Sequence, residues 1–428
     1  MTTVESLQGR RIVLGVTGGI AAYKAVEVCR RLVDAGAHVS PVMTAGARRF
    51  VGEATFSTLA SEPVHTSLWD IGLDGPVPEG RYASPIPHTR LGQQADLVLV
   101  CPATARLLGT YAAGISSDLL TAVLLATRAP VVLCPAMHTE MWEHPAVQDN
   151  LTTLRRRGVT VVDPDSGRLA GGDVGAGRLA APERIVAAIE RVLGPNDLAG
   201  SKVVVSAGGT REPIDAVRVI ANRSSGKQGY AVAAEAAARG ADVTLVSTVD
   251  LPAPVGVRVV PVETAAQMHD AMNAESAGAD VVVMAAAVAD FRPVGAAEGK
   301  LKKDLGPPEI VLEPTVDILA ALGAAKLPGQ VLVGFAAETA DLVANARGKL
   351  ERKRLDLIVA NDVSAPGTGF LHETNAVTII GRDGILQTVP LTDKRSVARA
   401  LVDQVVAVRN AQPAGERRAT DHHHEEHK

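Results

Sequence analysis

Short unbroken runs of apolar, often β-branched residues alternate along this chain with longer alanine-rich stretches of helical pattern. That order favours parallel strands covered on both faces by helices and disfavours an all-β or bundle fold. In the first half the runs predict strands near 11–16, 37–43, 96–101, 130–134 and 159–162, spaced for right-handed helical crossovers in a doubly wound sheet. The second half predicts strands near 202–206, 241–247, 257–260, 280–285, 330–335, 356–360 and 375–380, with a hairpin partner near 386–389. Helices are expected there over 226–239, 264–276, 315–325, 338–352 and 393–408.

Four segments break the pattern. Gly194-Pro195-Asn196-Asp197 ends a helix, which puts a short linker at 194–201 between domains at 1–193 and 202–408. Asp163–Leu179 is glycine-rich with few apolar anchors, and is expected to be a mobile loop acting as a flap over a site. Asp290–Glu309, carrying Lys300, Lys302 and Lys303, lacks periodicity and reads as a basic loop. The polar tail at 409–428 is expected to be disordered.

Length and charge narrow the picture. The 428 residues exceed one core and fit two domains. A formal charge of −4 offers no global attraction for nucleic acid, so basic clusters should serve local anions. Cys29, Cys101 and Cys134 are too few and too scattered for a disulfide framework or a zinc site, which points to a reducing compartment. No stretch reads as a leader or a membrane span, and the expectation is a soluble cytoplasmic protein.

Each half opens with an apolar run, a glycine turn and an alanine-rich helical stretch. The first reads Ile12 to Val16, then Thr17-Gly18-Gly19; the second reads Val203-Val204-Val205-Ser206-Ala207-Gly208-Gly209-Thr210 and leads on to Ser224-Ser225-Gly226-Lys227. Such turns bring free N–H groups up to a phosphate. The first lacks both Gly-x-Gly-x-x-Gly and a ribose-binding acid after the second strand, which ends Val42-Met43-Thr44, so a mononucleotide fits better than a dinucleotide. The second does not satisfy the P-loop pattern.

Gly18-Gly19-Ile20-Ala21-Ala22-Tyr23-Lys24, Pro102-Ala103-Thr104-Ala105, Ser116-Ser117-Asp118-Leu119, Pro135-Ala136-Met137 and Gly172-Asp173-x-Gly175-x-Gly177-Arg178 resemble the flavin-dependent cysteine decarboxylases over residues 11 to about 190. The motifs around Gly208-Gly209-Thr210-Arg211, Asn222, Ala285–Arg292, Gly334–Thr339 and Ala360-Asn361-Asp362 resemble the ligase half of the bifunctional phosphopantothenoylcysteine decarboxylase/phosphopantothenate–cysteine ligase family over about 200–408. The resemblance implies two doubly wound α/β domains, an N-terminal flavodoxin-like one and a C-terminal Rossmann-like one.

It also implies FMN held by Gly18, Gly19, Ile20, Thr44, Ala103 and Thr104 and flanked by Ser117 and Met137, with His88 as the catalytic histidine. For the ligase it implies CTP with Mg²⁺, bound by Met284, Ala285, Ala286, Asp290, Lys300, Thr315, Val316, Asp317, Ile318, Phe335, Lys349 and Lys353, with Arg218 and Asn222 meeting the acyl intermediate. Lys349 and Lys353 are spaced for one helix face. The implied substrates are 4′-phosphopantothenate, cysteine and CTP, with no nucleic acid or membrane partner. The implied assembly is trimers of the flavin domain and dimers of the ligase domain.

Two positions depart from the family pattern: His138 stands where Asn commonly holds the substrate carboxylate, and Gly171 where Cys commonly donates a proton. His138 is expected to take over the carboxylate contact, with solvent or a flap group donating the proton. Those departures leave two rival readings, an active ligase with an impaired flavin domain and a flavin-binding regulatory scaffold.

Overall fold

The computed structural model describes residues 7–69, 84–297, 299–301, 309–338, 342–362 and 372–412. Lys302, Lys303 and residues 413–428 of the expected tail lie outside the described residues. The chain divides into two compact units, Met1–Gly194 and Pro195–Lys428. Among the described residues no helix is long and apolar enough to cross a membrane.

Unit 1 runs β1 (Arg11–Val16), α1 (Lys24–Asp34), β2 (His38–Met43), α2 (Glu53–Leu59), α3 (Pro87–Gln94), β3 (Leu97–Ala103), α4 (Ala105–Ala112), α5 (Leu119–Ala126), β4 (Val131–Pro135), α6 (Thr139–Glu143), α7 (Pro145–Arg156), β5 (Thr160–Val161), β6 (Asp165–Arg168), β7 (Val174–Arg178) and α8 (Pro182–Leu193). The sheet order is β2-β1-β3-β4-β5, with every pairing parallel. Ile12, Leu14 and Val16 face Ala25, Val28 and Leu32 of α1 and Ile185 and Ile189 of α8, whereas Val13 joins Leu108, Leu120 and Leu151 on the other side. Both faces of β1 are therefore apolar, which is why its sequence shows a run and no alternation. Each such side chain contributes about 1.5–3 kcal/mol by burial.

Edge strand β2 is covered by the segment after α2. Val42 bridges His65, Val39 N donates to Ser61 Oγ (2.9 Å), and Glu62 takes a hydrogen bond from Ser40 with His38 and His65 beside it. The 163–179 segment corrects the sequence expectation. It is not an irregular loop: β6 and β7 form an antiparallel hairpin. Backbone pairing through Gly167 and Gly175 builds it, with no alternation of apolar residues to mark it in the sequence. The hairpin is tied to the end of β4 by Met137 N donating to Gly177 O (3.0 Å) and Thr139 Oγ1 donating to Ala176 O (2.8 Å).

Unit 2 runs β8 (Lys202–Ala207), β9 (Arg211–Pro213), β10 (Val219–Ala221), α9 (Lys227–Ala238), β11 (Asp242–Ser247), β12 (Val257–Pro261), α10 (Ala265–Ser276), β13 (Val281–Met284), β14 (Phe291–Pro293), β15 (Leu312–Pro314), α11 (Ile318–Ala324), β16 (Val331–Glu338), α12 (Leu342–Arg352), β17 (Leu357–Asp362), β18 (Thr374–Gly381), β19 (Gly384–Asp393) and α13 (Lys394–Ala411). The sheet order is β12-β11-β8-β13-β16-β17-β18-β19, parallel through β17 and antiparallel for the last two strands. Val203 and Val205 pack towards α9 and α13, and Val204 towards Met268 and Met272 of α10, so this sheet is also covered on both faces. The expected basic loop begins as a strand instead, because β14 pairs antiparallel with β15.

Open α/β sheets bind ligands beyond the carboxyl ends of their strands, where the strand order reverses. That point falls between β1 and β3 in unit 1 and between β8 and β13 in unit 2.

Candidate functional site

In unit 1 the turn after β1 meets the turn after β2 on one side and, at the reversal point, the end of β3 on the other. A Cβ on Gly18 would lie 2.7 Å from Gly46 C, so only glycine lets the two backbones approach this closely. Gly19 starts a short 3-10 helix (Ile20–Tyr23) that leaves Ile20 exposed, and Thr44 Oγ1 accepts from Ala47 N (3.3 Å). Thr17 Oγ1 donates to Pro102 O (2.7 Å) and accepts from Thr104 N (3.2 Å), and Thr104 Oγ1 caps α4. Ala136 N then donates to Ala103 O (3.2 Å), which leads on to Met137.

The structure thus joins Gly18, Gly19, Thr104, Ala103 and Met137 along one edge, with Thr44 at the neighbouring turn. Ser117 is exposed ahead of the Asp118 capping box of α5 and is not part of that hydrogen-bond chain. His88 is the second residue of α3, half-buried, with Nδ1 buried and lacking a hydrogen-bond partner among the described residues. A glycine-lined approach, threonine hydroxyls and an unpartnered imidazole nitrogen fit a phosphate-bearing cofactor and its substrate.

His138 follows β4 and caps α6 from an extended backbone conformation. Its Nδ1 lies 2.5 Å from Glu140 Oε2, and its Nε2 lies 3.1 Å from Asp173 Oδ2 in the hairpin turn. The bond to Glu140, with the two carboxylate charges, raises the imidazole above its ordinary pKa despite some desolvation. A Cβ on Gly171 would come 2.9 Å from that same Nε2. The cysteines offer no exposed thiol: Cys29, Cys101 and Cys134 are all buried. Burial pushes the Cys29 thiol up to about 11, and burial with a hydrogen bond to Cys101 raises Cys134 well above the usual thiol range.

Unit 2 holds a cavity of about 400 Å³ at its reversal point. Met284, Ala285, Ala286, Asp290, Thr315, Val316, Asp317, Ile318, Phe335, Lys353 and Asn222 all line it. Ser206 Oγ takes Ala285 N and Ala286 N (3.1 Å each), Asn222 Nδ2 donates to Val288 O (2.9 Å), and Thr315 N donates to Asp290 O (2.9 Å). Asp317 caps α11 through Ala320 N (3.0 Å) while Lys353 Nζ sits 2.8 Å from its Oδ2. Burial pushes the Asp317 carboxyl up, but the Lys353 and Ala320 bonds and the charges of Lys353 and Lys349 together bring it below its usual range.

Arg218, Lys300 and Lys349 are not among the lining residues. The Arg218 guanidinium grips buried Asp215, whose carboxylate also accepts Val217 N and Arg218 N (2.8 Å each) and Leu301 N (3.1 Å). The Arg218 bond, outweighing desolvation, and the backbone N–H groups hold Asp215 well below the usual carboxylate range. This clasp anchors the segment carrying Lys300 against the β9–β10 turn.

The cavity also includes Asn375 and Lys394, which sequence reasoning missed, beside the Ser224–Lys227 turn. Gly226 adopts φ +74°, a left-handed conformation that favours glycine, and leads into α9. Lys227 begins α9 and pairs with Glu373; Lys394 begins α13. Burial, and then the charge of Lys227, lower the Lys394 ammonium against the opposing pull of Glu373. Lysine at the first position of a helix opposes the macrodipole, and two of them at one cavity were the available signal for an anion site.

Residues 1–194 match the Flavoprotein family and residues 198–408 match the DNA/pantothenate metabolism flavoprotein C-terminal domain family. The coenzyme A biosynthesis bifunctional protein CoaBC of Mycobacterium bovis is 50% identical over 414 residues, covering 93% of this chain and 96% of that protein. The CoaBC protein of Vibrio cholerae is 45% identical over 402 residues, covering 93% of this chain and 98% of its own. A crystallised C-terminal domain of a CoaBC protein aligns at 40% identity over 51% of this chain and 100% of its own, with a TM-score of 0.44.

Proposed function

The chain belongs to the family of bifunctional coenzyme A biosynthesis proteins, which combine a flavoprotein decarboxylase with a ligase, and from that premise we propose how its residues divide the two reactions. Unit 2 joins cysteine to 4′-phosphopantothenate using CTP. A carboxylate resists attack by an amine, so it first displaces pyrophosphate from the nucleotide to give an acyl-cytidylate; the cysteine amine then displaces CMP. The single observation that carries this reading is the cavity at the reversal point, where Lys227, Lys353 and Lys394 approach one space together with the N-terminus of α9. These cations answer the charge of the triphosphate. Mg²⁺ would accompany the nucleotide, since it usually keeps waters and substrate phosphates as ligands. Asn222 and Ala285–Ala286 meet the acyl-cytidylate. Arg218 and Lys300, coupled through Asp215 and Leu301, hold the loop at the rim and reach the substrate only if that clasp opens.

Unit 1 removes CO₂ from the ligation product to give 4′-phosphopantetheine. Gly18, Gly19, Ile20, Thr44 and Thr104 hold the FMN phosphate, and Ala103, Ser117 and Met137 flank the rest of the cofactor. A bound flavin would supply the electron sink for the C–S unit that loss of CO₂ requires. His88 moves the substrate proton through its unpartnered Nδ1 or the opposite nitrogen, help worth about 10²–10⁴-fold in rate. His138 holds the substrate carboxylate.

Mass spectrometry of products formed from 4′-phosphopantothenate, cysteine, CTP and Mg²⁺ tests the whole scheme. The expected product is 4′-phosphopantetheine. Unchanged phosphopantothenate overturns the ligase assignment, and a stall at phosphopantothenoylcysteine overturns the assignment of unit 1.

A further inference from the structure

Decarboxylation leaves an enethiolate, and its reduction to a thiol needs one proton on the carbon that lost CO₂. The three cysteines, all buried, cannot deliver that proton at a substrate edge. His138 can. It lies between the two hydrogen bonds that fasten the hairpin to the end of β4, those of Met137 and Thr139, so its ring is held where the hairpin closes. The charged groups facing the ring are Glu140 from α6 and Asp173 from the hairpin turn. Asp173 Oδ2 shows the direction from which Nε2 receives a carboxylate, and a side chain at position 171 would crowd that nitrogen. Glycine there and histidine at 138 are thus one arrangement, not two independent losses.

We propose that His138 serves twice through one atom: Nε2–H first holds the substrate carboxylate, displacing Asp173, and then protonates the carbon from which CO₂ has departed. The atom that bound the carboxylate is already aimed at that carbon. In the second step the enethiolate π electrons form the new C–H bond, the Nε2–H bond leaves its pair on nitrogen, and the substrate becomes a thioaldehyde. The electron pair and hydrogen taken from the substrate in the opening oxidation reduce its C=S group to the thiolate, and solvent reprotonates the imidazole. Two flanking carboxylates favour the charged ring, as an acid at neutral pH requires. Glu140 and Asp173 are positioning residues.

This proposal rests on the decarboxylase reading of unit 1, and the test separates the two. Full-length protein with bound flavin is given phosphopantothenoylcysteine, and CO₂ and products are followed. Absence of CO₂ from the unaltered protein overturns the decarboxylase reading itself. In His138→Asn the amide can still hold a carboxylate but carries no acid, so CO₂ should still be released, one per bound flavin and more where dissolved dioxygen reoxidises it, while the enethiol, two hydrogens lighter than the thiol, becomes the main product and thiol formation falls at least about tenfold. Thiol formed in its normal proportion by His138→Asn overturns the proposal.

The double variant His138→Asn/Gly171→Cys places a thiol where the glycine was. Return of the reduced product supports the donor role, even if the single variant releases no CO₂; failure to return it when flavin is bound overturns it. A readout independent of turnover is the NMR titration of the His138 ring in flavin-free protein. The ring should stay protonated to higher pH than an exposed histidine and lose that shift in the Glu140→Gln/Asp173→Asn variant; a ring unshifted in the unaltered protein overturns the proposal.

Discussion

Glu62→Gln isolates the clamp that covers the edge of the first sheet. Glu62 is three-quarters buried, bonded by Ser40 and flanked by His38 Nε2 at 3.4 Å and His65 Nε2 at 3.7 Å. Burial alone would push its carboxyl up. The closeness of His65, the hydrogen bond from Ser40 and the charges of His65 and His38 outweigh burial and bring it from 4.5 down to about 2. A carboxyl depressed by this amount contributes about 3 kcal/mol to folding above its unfolded pKa, and that contribution disappears as pH falls through the folded value. Unit 1 of the unaltered protein should therefore lose about 3 kcal/mol between pH 4.5 and 2 that the glutamine variant never had. Both tryptophans of the chain, Trp69 and Trp142, belong to unit 1, so urea unfolding followed by tryptophan fluorescence reads that unit alone. The stability difference between the two proteins cancels the other carboxylates and should be widest near pH 6, narrowing towards pH 2. A difference that stays constant across that range would refute the clamp.

Three further outcomes follow from the two sites. His88→Asn should abolish CO₂ release while flavin absorbance of the purified protein is retained; near-normal turnover would remove His88 from the chemistry. Lys353→Met should raise the KM for CTP about 10–100-fold, the value of one charge-assisted contact to phosphate, with little change in the thermal stability of unit 2, because the partly exposed pair with Asp317 contributes only about 0–1 kcal/mol. Asn222→Asp should slow attack by the amine so that acyl-cytidylate accumulates in rapid-quench samples; if the intermediate never rises, Asn222 has another task.

The strands were legible because parallel strands buried on both faces are nearly continuous apolar runs, as in Ile12–Val16 and Val203–Val205. The glycine turns and Met284–Ala286 were legible because their chemistry is contiguous in sequence. The β6–β7 hairpin was not, since its strands Asp165–Arg168 and Val174–Arg178 are joined through the backbone and carry no apolar alternation. Nor were Asn375 and Lys394, single polar residues more than a hundred positions from the Ser224 turn that only the sheet order brings to one cavity. Arg218 shows the converse. Its charge was readable, but not that Asp215, three residues away, engages it.

The burial of the thiols makes the two activities chemically separable. Cys29, Cys101 and Cys134 all lie in unit 1, and unit 2 contains no cysteine at all. An alkylating reagent reacts with exposed thiolate, so here it must wait for unit 1 to open locally, and its rate measures that opening. Such a reagent should extinguish decarboxylation at a pace set by the protein, not by its own reactivity, while ligation continues. Flavin binding should slow the loss by holding the sheet edge closed.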